Sequence, residues 1–393
     1  MKIMWFCIPA FGHTNPTIEV VRELVRRGHE VRYYSFEMFR EKIIDTGAEY
    51  IACDEYLMKP DRKLEEALKR SSTTAMSLNA IETTICMNDR LTKDVTEYQP
   101  DLIVSDSVCF WGKLLAEKYQ IPLVCSTTTF AFNQYSSRYM KYSFHEICDT
   151  ILGSGKVKKA LKQLEPLGYH VKNALELVQN RNDTDTIVYA SKKFQPFSDT
   201  FDAEHYCFAG PSVRDIPISR SDSQRPLIYI SLGTVVSDHP DFYRNCIQGL
   251  QDIDMDVLIS CGSYVDMSIF SDLPANIRAE RRVDQLEILS HAHLFLTHCG
   301  MNSASEGLYM GVPELLFPQT GEQKAVARRV SELGAGMLLT PAEAKTAEGI
   351  HSAVLKALND SSLRAAAEEL RHDFTQSGGY RCAADFIEAR FPC

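Results

Sequence analysis

The residues best suited to chemistry lie in short loops after apolar, strand-like segments. His13 lies in the tight loop Phe11–Thr14, ahead of the helix-start signal Asn15-Pro16, and Asp106 ends the apolar run that begins at Asp101. An imidazole is suited to act as a general base near neutral pH, and a bonded carboxylate fixes its tautomer and stabilises the imidazolium. If both runs are parallel strands of one sheet, their carboxyl ends open onto one crevice, where the two side chains can meet. A polar surface histidine and a helix-capping aspartate are the simpler interpretation of the same residues.

A second candidate site is the small-residue turn in Thr297–Glu306, between a buried strand and a helix. Free backbone N–H groups and the positive end of such a helix can bind a phosphate or diphosphate. The side chains of His298, Asn302 and Ser303 would add donors to the same anion. However, the spacing Ser303-x-x-Glu306 also matches a capping box, which would explain these residues without a ligand. The local spacing leaves both interpretations open.

The elements that must position these loops follow the pattern of a parallel α/β sheet. Residues 2–35 contain a strand-like run, a short loop, an amphipathic helix and a second strand, in that order. The same pattern recurs over residues 101–126. A polar stretch containing glycine and proline, Phe208–Arg225, then interrupts it, and the alternation restarts afterwards. We therefore predict an α/β protein with two Rossmann-like, doubly wound domains, 1–215 and 216–377, that bind ligands at their carboxyl strand ends.

Composition and charge exclude several classes of protein. The 393 residues include 42 basic and 52 acidic side chains, for a net charge of −10, and 45% of them are hydrophobic. This balance is typical of a folded globular chain and argues against a general surface for nucleic acid or anionic membranes. No apolar run approaches the roughly 18 residues of a membrane span, and no signal-peptide pattern is present. The 12 scattered cysteines lack a C-x-x-C pair, so we expect free thiols and a cytoplasmic protein.

Several motifs, in their order along the chain, resemble those of the family 1 UDP-glycosyltransferases, especially the macrolide-glycosyltransferase (MGT) subfamily. The segments that carry the resemblance are Gly12–Pro16, Pro100–Asp106, Ile230–Thr234, Val283–Leu286, Thr297–Glu306, Gly311–Pro313 and Pro318–Gln323. Each motif alone is weak, but their common order on both sides of the linker is specific. The resemblance implies a GT-B fold, in which an acceptor domain and a nucleotide-sugar domain face each other across a cleft. It also implies that a C-terminal helix, about residues 378–393, completes the first domain.

The resemblance also implies a donor site. Gln285 would contact the uracil edge, and Glu306 would accept hydrogen bonds from both ribose hydroxyls. The other donor-binding positions that it implies are Thr128, Thr129, Thr234, Arg282, Val283, His298, Gly300, Asn302, Ser303, Glu322 and Gln323. Of these, Glu322 and Gln323 would hold the sugar hydroxyls. Arg282 departs from the family pattern, because many relatives have a tryptophan there that stacks on uracil; a planar guanidinium can stack similarly.

The implied reaction is an inverting transfer of a hexose from a UDP-sugar, with UDP-glucose as the expected donor, to form a β-glycoside. His13 would take the proton of the acceptor hydroxyl and Asp106 would orient His13, while UDP leaves from the opposite face. The expected acceptor is a small hydrophobic molecule, such as a flavonoid, another polyphenol or a macrolide. Together with the Met58–Met87 region, the residues expected to form its pocket are Phe11, Phe110, Phe132 and Tyr135. We expect no cofactor, because the UDP-sugar is a co-substrate.

Three further patterns fit other chemistry less well. Asp183-x-Asp185 and the aspartates of Asp252–Asp256 have the spacing of metal-dependent transferases, but they lie in polar stretches that favour solvated turns. The histidines and the cysteine of His291–Cys299 lie at opposite ends of a strand, too far apart for a zinc site. Gly153–Lys156 lacks the first glycine and the final Ser or Thr of a phosphate loop. We therefore expect no metal site and full activity in EDTA.

Two other functions remain open for the same motifs: a UDP-sugar epimerase of GT-B fold, and a UDP-sugar-binding regulator without chemistry. The regulator is disfavoured by the intact pair His13 and Asp106. Incubation with UDP-glucose, with and without a phenolic acceptor, distinguishes the three functions.

Overall fold

The computed structural model describes residues 1–56, 72–139, 144–171, 183–220, 225–233, 239–262 and 265–392. The chain divides into two compact units, which we call unit 1 (Met1–Ser212 with Ser377–Cys393) and unit 2 (Val213–Gln376). The first change of unit, at Ser212, lies within the stretch that the sequence indicates as a linker. Among the described residues, no helix has the length and apolar character to cross a bilayer.

Short parallel strands form the centre of each unit. In chain order they are β1 (Lys2–Phe6), β2 (Glu30–Ser35), β3 (Glu49–Ala52), β4 (Leu102–Asp106), β5 (Leu123–Thr127), β6 (Thr186–Val188), β7 (Tyr206–Phe208), β8 (Leu227–Ser231), β9 (Asp256–Ser260), β10 (Ile277–Glu280), β11 (Ala292–Thr297), β12 (Glu314–Leu316) and β13 (Gly336–Leu338). Unit 1 has a seven-stranded sheet in the order β3-β2-β1-β4-β5-β6-β7, and unit 2 has a six-stranded sheet in the order β10-β9-β8-β11-β12-β13. The pairings of neighbouring strands are parallel in both sheets.

Helices connect the strands. In chain order the described ones are α1 (Phe11–Arg26), α2 (Arg40–Ile44), α3 (Thr73–Tyr98), α4 (Phe110–Tyr119), α5 (Phe144–Leu161), α6 (Pro240–Leu250), α7 (Gln285–His291), α8 (Met301–Tyr309), α9 (Gly321–Glu332), α10 (Ala347–Asn359), α11 (Ser361–Gln376) and α12 (Gly379–Arg390). Strand β1 is a continuous apolar run that is fully buried from Ile3 to Phe6. A strand with both faces buried is typical of a parallel sheet covered by helices on both sides. The predicted α/β class with two parallel-sheet domains is therefore confirmed.

Both sheets reverse their strand order once. In unit 1, strands β1 to β3 are added in one direction across the sheet, and β4 then pairs with the other side of β1. In unit 2, strands β8 to β10 are added in one direction, and β11 then pairs with the other side of β8. At such a switch point the two loops after the neighbouring strands diverge and leave a crevice at the carboxyl edge. The pairs β1/β4 and β8/β11 therefore mark where each unit can bind a ligand.

The C-terminal helix α12 belongs to unit 1. Its residues Ala383, Ala384 and Ile387 are fully buried, in the core cluster that contains Val21 and Leu24 of α1. Where the chain returns to unit 1, the amide of Gly379 donates to the carbonyl of Ala209, with 2.8 Å between the nitrogen and the oxygen. Gly379 has a φ of +55°, and a Cβ there would lie 2.8 Å from the Pro211 carbonyl oxygen. A larger residue would therefore be strained at this position.

Candidate active site

The switch point of unit 1 brings His13 and Asp106 together. The imidazole Nδ1 of His13 lies 2.7 Å from Oδ2 of Asp106. The Asp106 carboxylate is fully buried, whereas 20% of the His13 side chain is exposed. The hydroxyl oxygen of Thr128, a predicted donor-site residue, lies 3.1 Å from the same Nδ1. A protonated Nδ1 that donates to the carboxylate leaves Nε2 as the basic nitrogen, as a general base requires.

The predicted loop around His13 is wrong. Helix α1 begins at Phe11, not after Asn15-Pro16, with Ala10 as its N-cap. The amides of His13 and Thr14 both donate to the carbonyl of Ala10, at 3.0 Å and 2.9 Å between nitrogen and oxygen. Pro16 therefore lies in the second turn of the helix, where it has no N–H to donate to the carbonyl of Gly12. His13 is thus fixed in the first helical turn, which limits the movement of its ring.

Asp106 has two partners, one for each carboxylate oxygen. Oδ2 bonds to His13, and Oδ1 accepts a hydrogen bond from the Val108 amide at 2.9 Å. Helix α4 begins later, with Cys109 as its N-cap, so Asp106 closes a turn and does not cap the helix itself. The turn-forming role and the pairing with His13 are therefore compatible, and the turn holds the carboxylate in place.

Two fully buried cysteines, Cys7 and Cys109, lie near Asp106. Burial, and to a lesser extent the charge of Asp106, raise the pKa values of the Cys7 and Cys109 thiols. Both cysteines are fully buried and stay protonated at neutral pH, so they do not compete with His13 as nucleophile or base.

In unit 2, the turn after β11 forms no capping box. Helix α8 begins at Met301, with Gly300 as an N-cap that has no side-chain hydrogen bond. Ser303 is therefore the third residue of the helix and cannot cap it, so the capping interpretation of Ser303 and Glu306 is wrong. The first backbone N–H groups of α8 have no acceptor within the helix, and groups of this kind can bind an anion, as the other interpretation requires.

His298 follows β11 directly and lies between two glycines. A Cβ on Gly233 or Gly300 would lie 2.5 Å or 2.6 Å from its Nε2, so only glycine leaves room for the ring. Burial lowers the pKa of His298 to about 4, which makes the imidazole neutral at physiological pH. Its Nδ1 is buried without a hydrogen-bond partner among the described residues. A neutral ring with an unsatisfied nitrogen at the start of a helix is suited to hydrogen-bond a ligand.

Gln285, Ser303 and Glu306 come together beside this turn. The carboxamide Nε2 of Gln285 donates to Oε2 of Glu306 at 2.6 Å and to the hydroxyl of Ser303 at 3.3 Å. The hydroxyl of Tyr229, on β8, donates to Oε1 of the same carboxamide at 3.3 Å. Both amide hydrogens of Gln285 are therefore used within the protein. This arrangement suits a support for Glu306 better than the uracil contact that the resemblance implies.

The two predicted sugar-binding residues lie at the start of α9. Glu322 is exposed. Gln323 forms a capping box with Thr320, and its Oε1 accepts hydrogen bonds from the amides of Gln319 and Thr320 at 2.7 Å and 3.1 Å. The carboxamide oxygen of Gln323 is thus part of the helix cap, which leaves its –NH₂ group to contact a sugar.

The remaining predicted donor residues have varied surroundings. Arg282 is exposed, and Val283 packs against the core cluster that contains Tyr229. In unit 1, the hydroxyl of Thr129 donates to the carbonyl of Phe130 at 3.2 Å. Thr234 lies outside the described residues.

The four predicted acceptor residues also differ in their surroundings. The ring of Phe11 packs edge-on against Phe39, with 5.0 Å between centroids. Phe110 is only 5% exposed and belongs to a core cluster. Phe132 is half-buried, and Tyr135 is 44% exposed. Residues 58–71 of the predicted Met58–Met87 pocket region lie outside the described residues.

Asp185 and Gly153, which belong to the alternative metal and phosphate motifs, have structural roles. Asp185 is not in a solvated turn: its Oδ1 lies 2.8 Å from His205 Nδ1 and 2.9 Å from an Arg390 nitrogen. Gly153 lies within α5, where a Cβ would be 1.9 Å from the Thr74 hydroxyl, so it permits the close approach of α3. Within the part of the chain that the structure describes, no three or more His, Cys, Asp or Glu residues form a group that could hold a metal ion.

Two residues of unit 2 were missed by the sequence reasoning. Thr320 caps α9, and the spacing Thr320-x-x-Gln323 is a capping-box signal that could have revealed it. Tyr229 reaches Gln285 across 56 positions of the sequence, and no local pattern distinguishes it from an ordinary buried strand residue.

Comparisons with known proteins identify similar chains. Residues 244–378 match the family model of the erythromycin biosynthesis protein CIII-like C-terminal domain. The chain is 35% identical to the NDP-glycosyltransferase YjiC of Bacillus licheniformis, over 98% of this chain and 96% of that protein. It is 29% identical to the oleandomycin glycosyltransferase of Streptomyces antibioticus, over 99% and 91% of the two chains. The chain is also similar to the crystal structure of the calicheamicin glycosyltransferase CalG4, with a TM-score of 0.81 and 28% identity. This match covers 99% of this chain and 97% of the CalG4 chain.

The fold and these similarities define a GT-B glycosyltransferase. The chain belongs to family 1 of the glycosyltransferases, in the macrolide type that includes NDP-glycosyltransferases. The predicted family and enzyme class are therefore confirmed.

Proposed function

We propose that this glycosyltransferase transfers glucose from UDP-glucose to a hydroxyl group of a small hydrophobic acceptor, with inversion at the anomeric carbon. The contact of 2.7 Å between His13 Nδ1 and the buried Asp106 carboxylate is the observation that supports this proposal most strongly. It is the arrangement that a base needs to accept a proton from an attacking hydroxyl. The partners are then a UDP-sugar and an acceptor such as a polyphenol or a macrolide; an oleandomycin glycosyltransferase among the relatives supports the macrolide class.

In the proposed step, the acceptor oxygen forms a bond to the anomeric carbon as the bond from that carbon to the UDP oxygen breaks. The hydroxyl proton passes to Nε2 of His13, and Asp106 stabilises the resulting imidazolium. The positive end of α1 disfavours that imidazolium, because His13 lies in its first turn. A buried carboxylate directly bonded to the ring offsets this effect, so we expect Asp106 to be indispensable.

The donor would be bound by unit 2. The start of α8 and the neutral His298 support diphosphate binding, and Glu306 has the chemistry for the ribose diol. Glucose as the sugar rests on the resemblance of Glu322-Gln323 to the same pair in glucose-using relatives. A metal ion is not part of this proposal, because helix-end and imidazole donors suit the diphosphate.

Replacement of His13 by alanine tests the proposed base. Turnover with UDP-glucose and a phenolic acceptor should fall by about 10² to 10⁴, whereas calorimetric binding of UDP-glucose should stay within a factor of about two. His205→Ala is the matched control, because His205 is also paired with a carboxylate, Asp185, but lies just before β7. This control should retain turnover.

The products distinguish the remaining functions. A glycoside and UDP that form only with the acceptor support the transferase. Sugar isomerisation without acceptor would identify an epimerase, and binding without products would identify a regulator. Unchanged turnover in His13→Ala would refute the assigned base.

A further inference from the structure

Tyr229 lies at the centre of unit 2, in the middle of β8 and beside β11. It is 1% exposed, and its ring stacks on Phe295 with 4.9 Å between centroids and 16° between the planes. This packing fixes the ring and therefore the position of its hydroxyl group. A buried tyrosine hydroxyl usually has a hydrogen-bond partner, and here that partner is the Gln285 carboxamide.

We propose that Tyr229 is a positioning residue for the donor nucleotide: it orients the Gln285 carboxamide, which holds Glu306 ready for the two hydroxyls of a ribose. The effect would be a preference for ribonucleotides over their 2′-deoxy counterparts. This inference rests on the proposed UDP-sugar activity and on the assignment of Glu306 to the ribose.

The three residues form a chain of hydrogen bonds, which we call the relay, from Tyr229 through Gln285 to Glu306. Burial raises the pKa of Tyr229 to about 12, so the hydroxyl keeps its proton at neutral pH and donates it to Oε1 of Gln285. Interactions with the side chains of Ser231 and Ser260 lower this pKa to a lesser extent.

A carboxamide can rotate by half a turn and exchange its oxygen and nitrogen at little cost in shape. If Gln285 did so, its oxygen would face the Glu306 carboxylate, now 2.6 Å from the nitrogen, and two acceptors would repel each other. Donation from Tyr229 stabilises the orientation in which the nitrogen faces Glu306. A carboxylate has about four acceptor positions, so a Glu306 held through Oε2 can still accept from a diol.

Tyr229→Phe removes only the hydroxyl group and preserves the ring stack. We expect the ratio of UDP to 2′-deoxy-UDP affinity, measured by calorimetry, to fall by about threefold to tenfold, the usual effect of one hydrogen bond. The KM for UDP-glucose should rise by a similar factor, with kcat nearly unchanged. Tyr243→Phe is the matched control, because Tyr243 is a fully buried tyrosine in the core of the same unit; it should leave the ratio unchanged.

A second variant and a double mutant make the test specific. Gln285→Leu interrupts the relay at its middle and should reduce the same ratio, even if Tyr229→Phe were to fold poorly. In a Glu306→Gln background, Tyr229→Phe should have no further effect on the ratio, since the end of the relay is already changed. A wild-type protein that neither binds UDP nor transfers glucose would refute the proposed function. An active wild type, with the UDP preference intact in both Tyr229→Phe and Gln285→Leu, would refute only this relay.

Discussion

Replacement of Glu314 by glutamine should remove a pH-dependent loss of stability from unit 2. Glu314 lies on strand β12, between β11 and β13, is fully buried, and has no hydrogen-bond partner for either carboxyl oxygen among the described residues. A Cβ on Gly307 would lie 2.6 Å from its Oε1, so the carboxyl group is tightly enclosed by α8. Burial raises the pKa of Glu314 well above its usual value, and the folded protein therefore holds this group in its neutral form.

The sign and size of the effect follow from proton linkage. Below the pKa of the unfolded state, about 4.3, Glu314 is protonated in both states and contributes no pH dependence. Above it, only the unfolded chain releases the proton, so the free energy of unfolding falls by about 1.4 kcal/mol per pH unit until the folded pKa is reached. Between about pH 5.5 and about pH 7.5, wild type should therefore lose at most about 3 kcal/mol relative to Glu314→Gln.

Urea denaturation at several pH values measures this difference, with far-ultraviolet circular dichroism to follow both units. The two tryptophans, Trp5 and Trp111, both belong to unit 1, so their fluorescence follows the unfolding of that unit separately. The stability of unit 1 measured in this way should be the same in wild type and Glu314→Gln. The control is Glu280→Gln, which removes an exposed carboxylate from β10 of the same unit. A stability difference between wild type and Glu314→Gln that stays constant over this pH range would refute the reasoning. Glu314 would then be ionised or hydrated in the folded state.

Two further predictions concern the thiols and metal ions. The sulfur atoms of Cys207 and Cys382 lie 3.6 Å apart, and a hydrogen bond from Cys207 lowers the pKa of Cys382 to about 7. Diamide should therefore oxidise the two thiols to a disulfide and itself become the hydrazine, with a gain of at most about 5 kcal/mol from the long closed loop. Peptide mass spectrometry and thermal denaturation should detect both changes, and Cys382→Ser should show neither. Turnover should be the same with and without EDTA, and its loss in EDTA would instead indicate a required metal ion.

The contact between His13 and Asp106 could be predicted, because parallel topology brings the carboxyl ends of strands together. The structure confirms this contact, whereas the catalytic role of the pair stays a prediction. The start of α1 could not be predicted in the same way. Its N-cap is Ala10, whose side chain carries no capping signal, whereas Asn15-Pro16 has the composition of a helix start.

The turn after β11 shows a different limit. Ser303-x-x-Glu306 has the spacing of a capping box, but β11 ends at Thr297 and the helix begins at Met301, only four residues later. The length of the turn therefore determines the cap, and that length depends on the pairing of β11 with its neighbours. The bond between Tyr229 and Gln285 depends on the same strand packing, so no local pattern could reveal it.

The hydrogen bond between Gly379 and Ala209 has a consequence for engineering. The chain leaves unit 1 after Ser212 and returns at Ser377, so unit 2 is an insertion whose two connections begin side by side in unit 1. Domains inserted between neighbouring chain ends can be exchanged without disturbing the host core. Residues 213–376 therefore form a cassette: if unit 2 binds the donor as proposed, a relative's counterpart joined at these two points would bring its own donor preference to an unchanged unit 1.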